Sequence, residues 1–232
     1  GGSITISLPY TLKSGESADG VAIWYLSDSG ELQRLTCTYN SKTGLATFSV
    51  SHLSYYVVGW TEAWQNPFSD VKPGDWFYEA VAYAVQNDLF QGTSATAFSP
   101  NTAMSRAMLV TVLYRLAGSP DVSGLPSSFN DVPDGSWYCK AVSWAAANGI
   151  TGGVGGSRFA PGDNVTREQA AAFFLRYARL IGKGPAGEAT GGSDFADKDK
   201  ISDWAFEGAM WCGMIGVIKG KPGDNGMLFD PQ

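Results

Sequence analysis

At 232 residues, with 44% hydrophobic and 13% aromatic side chains, the chain is long enough for one or two domains and a real core. Only 16% of its residues are charged, so its polar bulk comes from Gly, Ser, Thr and Asn, which suits a loop-rich extracellular protein. The net charge of −6 excludes a nucleic-acid binder, which needs clustered Lys and Arg, and leaves any anionic ligand to individual arginines in a local pocket.

Residues 4–60 alternate with period two. Ile4, Ile6 and Leu8 alternate with Thr5 and Ser7, Val21 to Leu26 is a β-rich run, Leu45 to Val50 alternates again, and Tyr55-Tyr56-Val57-Val58 closes the series. Turn clusters at Lys13-Ser14-Gly15, Ser27 to Gly30 and Asn40 to Gly44 separate these runs. The pattern predicts an antiparallel meander or small sandwich of four to six strands. Thr61 to Pro67 reads as a linker.

From Phe68 the period becomes helical, and nearly the same sentence is written three times. Phe68-Ser-Asp70 leads to Trp76 and then to Phe98-Ser-Pro100; Phe129-Asn-Asp131 leads to Trp137 and then to Phe159-Ala-Pro161. Phe195-Ala-Asp197 leads to Trp204 and then to Phe229-Asp-Pro231. In the first helix of copy one Val81, Ala84, Val85 and Leu89 recur at helical spacing, and Gly92 reads as the stop. Ala141, Val142, Ala145 and Ala146 do the same before Gly149. Copy three offers Ala209, Met210 and Ile215, with Gly208, Gly213 and Gly216 each weakening a helix by up to about 1 kcal/mol. Second helices are predicted after Ser105-Arg106 and Thr166-Arg167, whose hydroxyls are natural N-caps, and Thr166 with Gln169 makes a capping box. Gly182 to Ser193 reads as a linker. The third copy stops at its Phe-x-Pro, so its arginine and second helix would lie beyond Gln232, and the abrupt start at Gly1 and end at Gln232 read as a piece of a longer protein.

The domains expected are a β module over 1–62 and helical repeats over 63–122, 123–187 and 188–232, the last incomplete, giving an α+β chain. No signal peptide or membrane-spanning run is present.

Phe-x-Asp-Val, the Trp-aromatic pair, the Gly-rich loop with Phe-x-Pro and the Ser/Thr-Arg helix start together resemble S-layer homology repeats over roughly 68–232. The resemblance implies a pseudo-threefold helical bundle on a Gram-positive cell surface, holding secondary cell-wall polysaccharide, often through a pyruvate-ketal sugar. It puts Arg106 and Arg167 in grooves between repeats. Ser-Arg-Ala-Met in copy one and Thr-Arg-Glu-Gln in copy two depart from the family's Thr-Arg-Ala-Glu, and copy three lacks the motif, so at most two arginine-bearing grooves are expected.

An arginine directly after an N-cap can fork onto a carboxylate while the helix's free N–H groups favour the same anion; the alternative is an internal ion pair. Trp76, Trp137 and Trp204 could stack on a sugar ring or pack inward. Phe98, Phe159 and Phe229 read as core. Asp70 and Asp131, with Asp197, are candidate ligand contacts or a carboxylate pair for glycoside hydrolysis, but threefold recurrence favours an Asp bonding backbone N–H groups. Cys37, Cys139 and Cys212 lack metal spacing and read as buried thiols, with a Cys139–Cys212 disulfide left open. A Ser-His-Asp or Cys-His site would need His52, the one histidine, which lies in the β module far in sequence from Cys139 and Cys212; Asp197 to Asp203 lacks the glycine and closing Glu of a calcium loop, and Gly152 to Gly156 lacks a phosphate loop's lysine. No catalytic residue, cofactor or metal is expected. A binding module is therefore expected, with an assembly role, in which another chain completes repeat three, as the alternative.

Overall fold

In the computed structural model the residues described are 3–27, 30, 32–62, 64–125, 129–189, 194–224 and 226–232. The expected turn at 27–30 and linkers at 61–67 and 182–193 therefore fall partly outside the described residues. The chain divides into two units, residues 1–67 and 68–232.

The alternating segments of the first unit form β1 (Ile4–Pro9), β2 (Val21–Leu26), β3 (Leu32–Leu35), β4 (Thr38–Asn40), β5 (Leu45–Val50) and β6 (Tyr55–Trp60). They make two antiparallel three-stranded sheets, ordered β1-β5-β4 and β3-β2-β6. Alternation sorts the side chains: Val21, Ile23, Ala46 and Phe48 are buried together, with Ile6, Leu35, Tyr56, Val58 and Trp60 packed around them.

The second unit carries α1 (Tyr78–Gln86) and α2 (Arg106–Leu116) from copy one, α3 (Cys139–Ala147) and α4 (Arg167–Leu180) from copy two, and α5 (Asp203–Met214) from copy three. Copy three adds a two-stranded hairpin, β7 (Lys221–Gly223) with β8 (Gly226–Leu228), before its Phe-x-Pro. Two cores run through it. Ala107, Val110 and Leu113 of α2 pack on Ile150, Phe159, Phe173 and Tyr177 of copy two. Ala171, Leu175 and Ala178 of α4 pack on Ile218, Phe229 and α5 of copy three. Each second helix thus fills the next copy's Phe-x-Pro pocket.

Two glycines read otherwise than expected. α1 stops at Gln86, where Asp88 takes the left-handed conformation at φ +56°, and Gly92 is not the stop. At φ +75° Gly92 sits in the following hairpin, where a Cβ would lie 2.6 Å from the Phe68 ring. Gly208 does weaken α5 in propensity, yet a Cβ there would meet the Ala171 carbonyl oxygen at 2.7 Å, so its absence lets α5 lie directly on the α4 backbone.

The recurrent aspartates build the turns. Asp131 accepts the N–H groups of Phe159 (2.7 Å) and Ala160 (2.8 Å), Asp70 those of Phe98 and Ser99, and Asp197 those of Phe229 and Asp230. The middle residue of every Phe-x-Pro (Ser99, Ala160, Asp230) is left-handed, at φ +61°, +58° and +56°. That conformation is strained for a residue with a side chain, and the carboxylate below offsets the strain with two charge-assisted bonds. The Asp131 carboxyl is opposed by burial, which raises its pKa, but the Phe159 and Ala160 N–H groups outweigh it and the pKa lies below the ordinary value. A depressed folded pKa gives stability that is present above the unfolded value near 4 and lost as pH falls through the folded one. Asp131→Asn is expected to cost about 2 kcal/mol at neutral pH and to flatten the acid limb of the stability profile, read by urea melts from pH 7 down to 3.

Candidate functional site

The two arginine-led helix starts define the site. Ser105 Oγ accepts the Met108 N–H at 3.2 Å and Thr166 Oγ1 accepts the Gln169 N–H at 3.3 Å, as N-caps do. The return half of the capping box is absent, because the Gln169 side chain reaches Arg106 of the preceding copy instead. Three of the remaining N–H groups, which the sequence left free for an anion, are taken up by backbone carbonyls. Arg106 N–H donates to the Asp163 carbonyl (2.9 Å), Ala107 N–H to Pro161 (3.1 Å) and Glu168 N–H to Pro231 (3.1 Å). Orphan donors at a helix start need partners, and the next copy's Phe-x-Pro turn supplies carbonyls to them.

The arginine side chains follow the backbone. Arg106 is 3% exposed. Its Nε donates to the Phe159 carbonyl (2.9 Å) and its Nη1 to Gln169 Oε1 (2.8 Å), and the guanidinium lies over the rings of Phe159 and Phe173, 5.0 and 5.4 Å from their centroids. Its Nη2 is buried without a partner among the described residues. Burial lowers its pKa, against the raising pull of Asp163 and Asp131, but an arginine starts so high that it stays charged. Arg106 is thus a buried cation–π clamp rather than an exposed anion contact, and it has no internal ion pair among the described residues.

Arg167 repeats the geometry but is partly exposed. Its Nε donates to the Phe229 carbonyl (2.6 Å), its Nη2 to the Lys219 carbonyl (2.8 Å), and it lies 5.5 Å from the Phe229 ring centroid. Beside it Lys221 pairs with Asp230. The Asp230 pKa is lowered chiefly by Lys221, with smaller contributions from Arg167 and Lys200. Sequence reading weighed Lys200 only within the Asp197 to Asp203 stretch and did not single out Lys221, which lies in a hairpin longer than those of the other copies.

Trp76, Trp137 and Trp204 are 93%, 61% and 53% exposed, not packed inward, and the first two stand edge-on to the aromatic residue that follows each. Asp70 and Asp131 point both carboxylate oxygens into their turns rather than toward each other. All three cysteines are free, so Cys139 and Cys212 are not bridged, and burial pushes the Cys212 thiol up to about 12. Among the described residues no cluster of His, Cys, Asp or Glu could hold a metal, and no helix is long and apolar enough to cross a membrane.

Residues 67–107 and 128–171 match the S-layer homology domain, and both matches run from the Phe-x-Asp turn into the arginine-led helix. These are S-layer homology repeats. The chain is 31% identical to a surface-layer 125 kDa protein of Lysinibacillus sphaericus over 66% of its own length, and 25% identical to a cellulosome-anchoring protein of Acetivibrio thermocellus over 60%. It is 26% identical to an amylopullulanase of Thermoanaerobacterium thermosulfurigenes along its whole length, β module included. It spans only 12% of the amylopullulanase, 12% of the surface-layer protein and 31% of the anchoring protein.

Because two acceptors and two rings converge on Arg106, a lysine cannot replace it. Arg106→Lys is expected to destabilise the repeat unit by about 3 kcal/mol, and Gln169→Ala in that background to add little, since the pair acts together; a double-mutant cycle by chemical denaturation reads both.

Proposed function

We propose that this chain is a non-catalytic, extracellular module that anchors the protein carrying it to the cell wall of a Gram-positive bacterium. The observation that carries this reading is the S-layer homology match over copies one and two, supported by relatives named as surface-layer and anchoring proteins. The enzyme names among the relatives belong to much longer proteins, of which this chain matches about an eighth.

The finer reading is that the ligand is an anionic secondary cell-wall polysaccharide, pyruvate-ketal substituted, bound at the joint between copies two and three. Arg167, Lys200 and Lys221 supply positive charge there, and the protein's overall charge of −6 leaves such a local cluster as the place for a carboxylate. Exposed indoles such as Trp204 offer a face for the sugar ring. Arg106, being buried, positions copy two rather than touching the polymer.

Lys200→Ala with Lys221→Ala leaves the Arg167 clamp intact. This double variant is expected to bind purified wall polysaccharide at least about tenfold more weakly by isothermal titration, a loss of about 1.4 kcal/mol. Polysaccharide stripped of its ketal carboxylate is expected to bind the wild type and the variant equally; an unchanged affinity of the variant for intact polymer would remove the site.

A further inference from the structure

We propose that the outer edge of β6 pairs with the same edge of a second copy of this chain, joining two β modules into one continuous sheet. An edge strand leaves a row of backbone N–H and C=O groups unpaired, and proteins blunt such edges with charges, proline or short strands. Among the described residues the two sheets of the first unit have four edge strands, β1, β4, β3 and β6. Three carry such a device. β1 ends in Pro9, β4 is three residues long, and β3 presents the exposed Arg34. β6 has none. It runs for six residues and pairs with β2 alone among the described residues, and no Asp, Glu, Lys or Arg occurs from Thr43 to Thr61.

The side chains of β6 say what fits against it. Tyr56 and Val58 pack on the core, so Tyr55, Val57 and Gly59 lie on the opposite face of the sheet, level with Leu26, Trp24 and Ala22 of β2. Tyr55 and Val57 are exposed. Gly59 is the gap in this row, and the Trp24 indole leans over it: a Cβ on Gly59 would lie 3.0 Å from the ring. A second copy laid antiparallel about a two-fold axis at Val57 sets Val57 opposite Val57 and each Tyr55 opposite the other copy's Gly59. The large ring then meets the residue without a side chain, beside Trp24, so the row is complementary to itself. This self-complementarity names a second copy as the occupant, and the uncharged edge brings no like charges together.

Pairing also closes the assembly. It uses up both β6 edges and gives a sheet ordered β3-β2-β6-β6-β2-β3, which ends on the Arg34-bearing β3 at either side. A two-fold contact of this kind stops at a dimer rather than growing into a fibre.

The test is sedimentation equilibrium of the whole chain, with amide hydrogen exchange read at low and high concentration. The 24.6 kDa chain is expected to approach twice its mass as concentration rises, with added protection over 55–60 and none over 4–9. Because Val57 faces solvent, its replacement spares the core. Val57→Lys and Val57→Glu are each expected to weaken self-association at least about tenfold, since like charges then face each other at the axis, and a mixture of the two folded variants to restore it. A single mass at every concentration, a dimer whose added protection falls in the helical unit, or a mixture that associates no better than either variant would each overturn the proposal. The wild-type measurements hold even where a variant fails to fold. None of these outcomes depends on Lys200 and Lys221, so the glycan reading stands or falls separately.

Discussion

The second unit is built on one repeated contact: an arginine at the start of one copy's second helix, laid over the phenylalanine of the next copy's turn and bonded to its carbonyl. Hydrophobic burial alone would let neighbouring copies slide, since it is non-directional. The guanidinium fixes register because its planar fork must meet the ring and the carbonyl together. The helix-start N–H groups add bonds to the same turn, so backbone and side chain specify one docking geometry.

That contact requires a turn of fixed shape, and the aspartates supply it. A left-handed residue between Phe and Pro turns the phenylalanine carbonyl toward the incoming helix, and the Asp carboxylate holds both preceding N–H groups beneath it. The three recurrent features, Asp, Phe-x-Pro and Ser/Thr-Arg, are thus parts of one joint. Where the joint is buried it is structural, as at Arg106. Where it opens to solvent, as at Arg167, the same guanidinium still holds the Phe229 and Lys219 carbonyls beside the Lys221–Asp230 pair.

Much of this was legible in the sequence. Period-two alternation marked the strands, the Ser105 and Thr166 hydroxyls marked the α2 and α4 starts, and the recurrence of Asp70, Asp131 and Asp197 pointed to backbone bonding. What sequence could not give was direction across copies. A helix start with unpaired N–H groups looks like an anion site until the next copy's carbonyls are placed against it. Gln169 looked like half of a capping box because its partner, Arg106, lies 63 residues away. Gly92 looked like a helix stop because φ and the Phe68 contact are tertiary facts. Phe98 matched Phe159 in sequence, yet Phe98 is partly exposed and Phe159 is buried beneath Arg106.

The most direct measurement of the arginine joint is amide hydrogen exchange of Arg167→Met, which keeps the apolar stem and removes the charge and the fork. The account predicts faster exchange in α5 and around Phe229, with α1 and α2 unchanged, because copy three loses its hold on copy two while copy one keeps its own contacts. Unchanged protection in copy three would contradict it, and would mean that apolar packing between α4 and α5 alone keeps the copies in register.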